Sequence, residues 1–187
     1  MGNHKGSIFD PFGRRRRLRA AIGLERDRLY RIAWSWCHDR HLADDLVQET
    51  VARALDKLDA LREESRLQVW LTRILANLYR DQYRRAQPET GLECDTLASG
   101  DDPEQAANQA LLIQCTRSAI AQLKDDQRQV LTLVDVAGFS YADTAGILDV
   151  PVGTVMSRLS RARVRLRGIL EQQGIGHADV IPLRRPR

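Results

Sequence analysis

Apolar side chains recur every three or four positions along most of this chain, and the places where that rhythm stops divide it into helices. From Leu24 onward Leu29, Ile32, Ala33 and Trp36 form one apolar face, which the polar run Cys37 to His41 brings to an end. A second helix is predicted from about Leu42 to Leu58, with Leu46, Val47, Val51, Ala54, Leu55 and Leu58 on its buried side. Asp44, Asp45 and Glu49 stand near its start, where the positive end of a helix dipole favours acids. After a polar connection from Arg62 to Arg66 comes VWLTRILANLYRDQYRRAQP, a periodic helix that Pro88 stops. Its Trp70, Leu71, Ile74, Leu75 and Leu78 turn inward. Arg73, Arg80, Arg84 and Arg85 are left accessible with Tyr79 and Tyr83 among them, which suits phosphates and stacked bases, although Trp and Tyr on a helix are more often core or rim residues. Two further helices are predicted at Asn108–Leu123 and Asp126–Val136.

The last periodic stretch, GFSYADTAGILDVPVGTVMSRLSRARVRLR from Gly138 to Arg167, reads as two helices around a tight turn. Ser140 suits an N-cap, with Asp143 three residues on, and the first helix runs to about Leu148. Asp149, Val150 and Pro151 supply the turn, since proline fits the opening of a helix but not its interior. On the second helix Val155, Leu159, Ala162 and Leu166 form the buried stripe, while Thr154, Ser157, Arg158, Arg161 and Arg165 fall on or near the opposite face. No acid interrupts it before Glu171. This is the form of a helix-turn-helix whose second helix reads DNA from the major groove, where arginine bonds guanine edges or phosphates. A solvated basic helix packed on a core would carry the same arginines, but not the capped partner helix and the short proline turn. Gly146 costs its helix roughly 1 kcal/mol of propensity, which a close helix approach there would explain.

The formal charge of +4 on 187 residues hides segregation along the chain. Arg14 to Arg17 with Arg19 form one basic cluster, and Arg184, Arg185 and Arg187 another. Between Gln87 and Asn108 there are six acids and no base, interspersed with Pro88, Gly91, Gly100 and Pro103, as in a linker between domains. The chain is therefore read as all-α. A flexible basic arm (1–23) is followed by a helical domain (24–87), an acidic linker (88–107), a helix-turn-helix domain (108–173) and a basic tail (174–187). The arms fit either nonspecific DNA affinity or solubility.

No apolar run is long enough for a bilayer span and no secretory signal is evident, so a cytoplasmic location is expected. Cys37, Cys94 and Cys115 are odd in number and widely spaced, which suggests no disulfide framework. Cys37, His38 and His41 lack an evident fourth ligand, so no metal or other cofactor is expected. A phosphate loop, a paired-carboxylate signature and a nucleophile motif are all missing, which argues against an enzyme.

Three motifs in order, ADDLVQETVARAL (Ala43–Leu55), WLTRILANLYRDQYRR (Trp70–Arg85) and GFSYADTAGILDVPVGTVMSRLSRAR (Gly138–Arg163), make the chain resemble an extracytoplasmic-function bacterial sigma factor. The resemblance covers residues 24 to 170. It implies a non-enzymatic subunit that lends promoter specificity to core RNA polymerase, with domains like sigma regions 2 and 4. On that match Asp44, Asp45, Leu46, Gln48, Glu49 and Arg53 meet the polymerase beta-prime clamp helices, the beta flap being the expected second contact. Arg62, Ser65, Arg66, Asn77, Arg80, Asp81, Arg84 and Arg85 face the minus 10 element, with a flipped-base pocket around Leu61 to Arg66. Thr154, Ser157, Arg158, Ser160, Arg161 and Arg163 face the minus 35 element. A dedicated anti-sigma factor, able to hold the protein at the membrane, is the further partner implied. Met156, Thr144 and Lys124 depart from the usual residues of relatives. A free-standing helix-turn-helix regulator would use the same last helix, yet leaves the first two motifs without a purpose.

Overall fold

The structure is a computed structural model that describes residues 11–85 and 103–175, with side chains for 13–82 and 112–175. Among the described residues eight α-helices follow one another: α1 (Pro11–Leu24), α2 (Arg26–Cys37), α3 (Arg40–Asp56), α4 (Leu67–Arg85), α5 (Pro103–Ala121), α6 (Asp125–Leu131), α7 (Tyr141–Leu148) and α8 (Val152–Gln172). Among the described residues there is no strand.

Residues 11–23, read from the sequence as part of a flexible arm, are instead helical. In α1 Leu18 and Ile22, one turn apart, are buried in the core, and Ala21 packs against it. A short apolar stripe after a run of arginines makes a weak periodic signal. Arginine nonetheless propagates a helix well, and Pro11 stands at the first position, where its missing N–H is no loss.

The apolar face expected of α2 is buried, with Leu29, Ile32, Ala33 and Trp36 at most 2% exposed. The helix ends at His38, whose backbone is left-handed (φ 54°). Asp39 then caps α3 by accepting from the Leu42 amide at 3.0 Å, which moves the start of that helix two residues ahead of the expected Leu42. Two 3₁₀ turns (Leu58–Ala60 and Glu64–Arg66) bring the chain to α4, which packs on α3.

The His38 ring meets the Trp34 ring edge-on at 5.5 Å, and its Nε2 is enclosed without a partner. Burial, and then the charge of Arg128, pull its pKa from 6.5 down to about 4. The folded protein therefore binds fewer protons here than the unfolded chain. Stability is full above about pH 6.5 and falls as the pH drops toward 4. With the ring only partly enclosed, the loss by pH 4 is expected to be about 1–2 kcal/mol. His38→Asn keeps a residue that tolerates the left-handed backbone and should flatten this part of the dependence. Urea unfolding of both proteins at pH 7 and pH 4.5 reads the difference, and parallel losses would refute the assignment.

In the second half α6 passes into a π-helical turn, Thr132–Val136, closed by the Ala137 amide on the Thr132 carbonyl at 2.8 Å. The run Val130 to Val134, apolar but for Thr132, is buried throughout, so the wider turn keeps Leu133 and Val134 inward where a strict α-helix would rotate one of them out. Gly138 then takes a positive φ of 77°, and α7 opens on Ser140, whose Oγ accepts from the Asp143 amide at 3.0 Å and donates to its carboxylate at 2.7 Å. Asp149, left-handed at φ 57°, ends α7, and Pro151 precedes α8 as expected. Val155, Leu159, Ala162 and Leu166 are all buried.

The expectation for Gly146 is not met. It is exposed, and a Cβ added there would touch nothing within 4 Å. Thr144 explains itself no better in hydrogen-bond terms, because it is fully buried and its Oγ1 has no partner. Thr144→Val should therefore stabilise the fold by about 1 kcal/mol. A lower melting temperature for that variant would show that the hydroxyl is satisfied in solution.

The two halves pack against each other, α4 on α7 and α2 on α5, α6 and the π turn. The Tyr79 hydroxyl donates to the Asp125 carboxylate at 2.6 Å and lies 3.1 Å from the Trp36 carbonyl, while Ser35 and Thr132 share a hydroxyl bond of 2.8 Å. Arg28 donates to the Ala137 carbonyl at 2.8 Å with its guanidinium 4.8 Å over the Phe139 ring. Tyr79 is thus only 3% exposed, in line with the core or rim place that tyrosines on a helix more often take. Burial and the neighbouring Asp125 carboxylate push its phenol pKa upward, so the hydroxyl stays a donor.

Candidate nucleic-acid interface

The acidic face of α3 follows directly from its register. Positions 43, 46, 47, 50 and 54 are buried, so Asp44, Asp45, Gln48 and Glu49 point outward. Glu49 accepts from Arg53 Nε at 2.7 Å, a bond between two half-exposed side chains one turn apart. Leu46 departs from the expectation of a surface contact, being 4% exposed. It helps to floor a groove of about 520 Å³ whose walls include Leu42, Asp45, Gln48, Glu49 and Leu78.

The connection before α4 is pinned by buried Leu58, Leu61 and Leu67, and between the last two all of Arg62 to Arg66 is exposed. Arg62 and Ser65 face solvent. Arg66 pairs with Asp143 of α7 at 3.2 Å. On α4 Asn77 and Arg80 are exposed, Asp81 is half-buried, and Arg80 donates to the Leu148 carbonyl at 2.8 Å. The side chains of Arg84 and Arg85 lie outside the described residues.

On α8 the buried stripe leaves Ser157, Ser160 and Arg161 exposed and Thr154 half-buried. The Ser157 hydroxyl donates to the Thr154 carbonyl at 3.1 Å and Arg161 Nε to the Ser157 carbonyl at 3.2 Å, bonds that exposed groups exchange readily for a ligand. Two arginines are differently employed. Arg158 pairs with Asp126 at 3.2 Å, and Arg163 grips Asp135 through two bonds of 2.9 and 2.6 Å. That second pair holds a carboxylate with no exposed surface and pushes the Arg163 pKa further up, so Arg163 serves the fold here before any phosphate.

Among the described residues no three His, Cys, Asp or Glu side chains converge as a metal site. Burial pushes the Cys37 thiol up to about 11, which keeps it protonated and unreactive at neutral pH. Cys94 lies outside the described residues. No helix among those described is long and apolar enough to cross a membrane.

An outward acidic helix, an exposed charged loop and a helix-turn-helix now stand in one chain order, and comparison with known proteins finds the same order. Residues 22–89 match the family Sigma-70 region 2, and residues 113–166 match Sigma-70, region 4. The ECF RNA polymerase sigma factor EcfG of Rhodopseudomonas palustris (strain TIE-1) is 42% identical over 151 residues, 79% of this chain and 80% of that one. The chain belongs to the extracytoplasmic-function sigma factors. It is an alternative sigma factor of the sigma-70 family that directs transcription initiation. The ECF RNA polymerase sigma factor SigC of Mycobacterium tuberculosis (strain CDC 1551 / Oshkosh) is 36% identical over 81% of this chain and 82% of its own. Among solved structures, the sigma factor RpoE of Bartonella quintana, in complex with the anti-sigma factor NepR, superposes with a TM-score of 0.70 at 29% identity, covering 83% of this chain and 98% of that one.

Within the sigma factor, sequence reasoning missed the residues that bind the halves together. Arg28 and Thr132 sit on or beside apolar stripes, and nothing in their spacing marks them as partners of a second domain. Arg14 was legible only as one member of a basic cluster, although its place four and eight residues before buried Leu18 and Ile22 puts it on the inward stripe of α1.

Proposed function

We propose that this sigma factor meets core RNA polymerase through α3 and reads its promoters through α4 and α8. The observation that carries this reading is the division of charge on the surface. Exposed Asp45, Gln48 and Glu49 rim a groove between α3 and α4 that is floored by Leu42, Leu46 and Leu78, with exposed Asp44 beside it, while exposed Ser157, Ser160 and Arg161 lie on α8, which holds no acid before Glu171. An acidic rim around an apolar floor suits a protein partner, here the beta-prime clamp helices, with the beta flap as a second contact for the C-terminal domain. A basic and hydroxylic helix behind a capped partner helix suits the minus 35 duplex.

The exposed segment from Arg62 to Arg66, with Asn77 and Arg80 behind it, takes the opened minus 10 strand. Extruding a base costs a few kcal/mol of stacking, which the pocket must offset. Since Arg66 and Arg80 are bonded to α7, their contact with DNA exchanges those bonds for phosphates or bases. Tethering makes the second promoter contact intramolecular, so two modest affinities combine. An anti-sigma factor that holds the two domains is the regulatory partner, in line with the complex formed by the Bartonella relative, and the protein works in the cytoplasm.

The test is reconstituted transcription with sigma-free core polymerase on a promoter library. Dependent start sites that share two upstream elements are expected. Arg161→Ala should relax preference at one minus 35 position by about 1–3 kcal/mol. Charge reversal at Asp45 or Glu49 should weaken holoenzyme assembly at least tenfold. Unchanged assembly would leave the acids as helix-dipole partners only, and unchanged preference would remove Arg161 from base contact.

A further inference from the structure

We propose that Arg14 is a positioning residue for promoter opening, fastening the loop before α4 in the shape that receives an extruded base. The inference rests on the minus 10 reading of Arg62, Ser65 and Arg66. Arg14 reaches the loop from α1, 47 residues away in sequence. Its Nη2 donates to the Leu61 carbonyl, and its Nε lies 3.4 Å from a Glu64 carboxylate oxygen. One guanidinium thus holds both the entry to the exposed segment and its middle. The neighbouring Arg15 pairs with Asp59 just ahead of it.

The loop's own hydrogen bonds leave this task to α1. Its turns use the carbonyls of Lys57, Leu58, Glu63 and Glu64. The Leu61 carbonyl, at the last buried residue before Arg62, is taken by Arg14. Between Leu61 and Leu67, 3% and 8% exposed, five consecutive residues reach solvent. A segment so thinly anchored would sample many shapes. A base pocket works only when its groups stay within a fraction of an ångström of the productive geometry.

α1 is well placed to supply that constraint. Leu18 and Ile22, one and two turns beyond Arg14 on the same stripe, are each 1% exposed and fix the helix to the core. The basic cluster therefore divides in two. Arg14 and Arg15 face the loop, and Arg16, Arg17 and Arg19 face solvent. The forked shape of the guanidinium matters as much as its charge, since it meets the carbonyl and the carboxylate from two nitrogens, whereas an ammonium must serve both from a single one.

The experiment compares full-length wild type, Arg14→Ala, Arg14→Lys and Arg66→Ala in holoenzyme, measuring core binding, minus 35 preference, minus 10 base preference and open-complex rate on one promoter library. Arg14→Ala is expected to slow open-complex formation and flatten minus 10 preference, each by about tenfold, the scale of one charge-assisted hydrogen bond. Core binding and minus 35 preference should match wild type. Arg14→Lys, which keeps the charge and the packing of the stem, should recover only a small part of the loss. Full recovery by lysine, or wild-type opening and preference in Arg14→Ala, would overturn the proposal. Equal losses in core binding and minus 35 preference would overturn it too, by reducing Arg14 to a fold residue. If Arg66→Ala also leaves minus 10 preference unchanged, the promoter reading of the loop fails and this inference with it. If Arg66→Ala alters preference while Arg14→Ala does not, only the positioning role falls.

Discussion

Trp36→Ala is expected to destabilise the protein by about 3–5 kcal/mol, the range for removing a large aromatic from a closed core. Trp36 has no exposed surface, its ring lies 5.3 Å from that of Tyr79, and its carbonyl meets the Tyr79 hydroxyl. Deleting the indole removes the wall against which Tyr79 is held. Because the same hydroxyl bonds Asp125 of α6, the loss should reach the second half of the chain. Amide exchange in α6 should then rise together with that in α2. Trp36→Phe should cost less, since it keeps an aromatic wall and sheds an indole Nε1 that is buried without a partner. Urea unfolding checks both. A loss below about 1 kcal/mol for the alanine variant would mean that the cavity collapses and that this core is looser than described.

Arg163→Ala is expected to cost about 2–3 kcal/mol of stability, because it leaves the fully enclosed Asp135 carboxylate without the two bonds that offset its desolvation. The half-exposed guanidinium keeps the figure below that of a wholly buried pair. Double substitution with Asp135→Asn should recover much of the loss, since the burial of an unpaired charge is then avoided. A phosphate contact behaves otherwise. Replacing one weakens DNA binding and lowers its salt dependence while the melting temperature stays put. Thermal unfolding in the absence of DNA therefore separates the two roles, and an unchanged midpoint would return Arg163 to the DNA surface.

How far these roles could be read beforehand differs between the two residues. Trp36 follows from the spacing of Leu29, Ile32 and Ala33, because a residue one turn further along an apolar stripe has nowhere to point but inward. The family resemblance turns Arg158, Arg161 and Arg163 alike toward the minus 35 element, and nothing in the sequence marks an acidic partner for any of them. They part company because Asp126 and Asp135 stand next to two of them, on other helices. Tyr79 shows the same limit from the other side. Set among the arginines of α4, it suits either a stacking group or the core that tyrosines on a helix more often join, and its ring against Trp36 and its hydroxyl on Asp125 put it in the core.

The helix-turn-helix was legible almost to the residue because its signals are local. A serine cap, a left-handed Asp149, a proline and a four-residue apolar stripe all act within a turn or two of the backbone. α3 and its acidic face were legible for the same reason, with Asp39 shifting the start by two residues. α1 was missed because its apolar stripe is short and follows a run of arginines, although the burial of Leu18 and Ile22 decides the helix. Seven of the eight described helices in outline, the family, and the faces that carry charge follow from the sequence alone. Tertiary structure decided how the charges are spent. Arg14 went to a loop carbonyl, Arg28 to the other half of the chain and Arg163 to a buried acid. Local patterning sets which way a side chain leaves its own helix, but a guanidinium's partner is whatever the rest of the chain brings within about 3 Å of it.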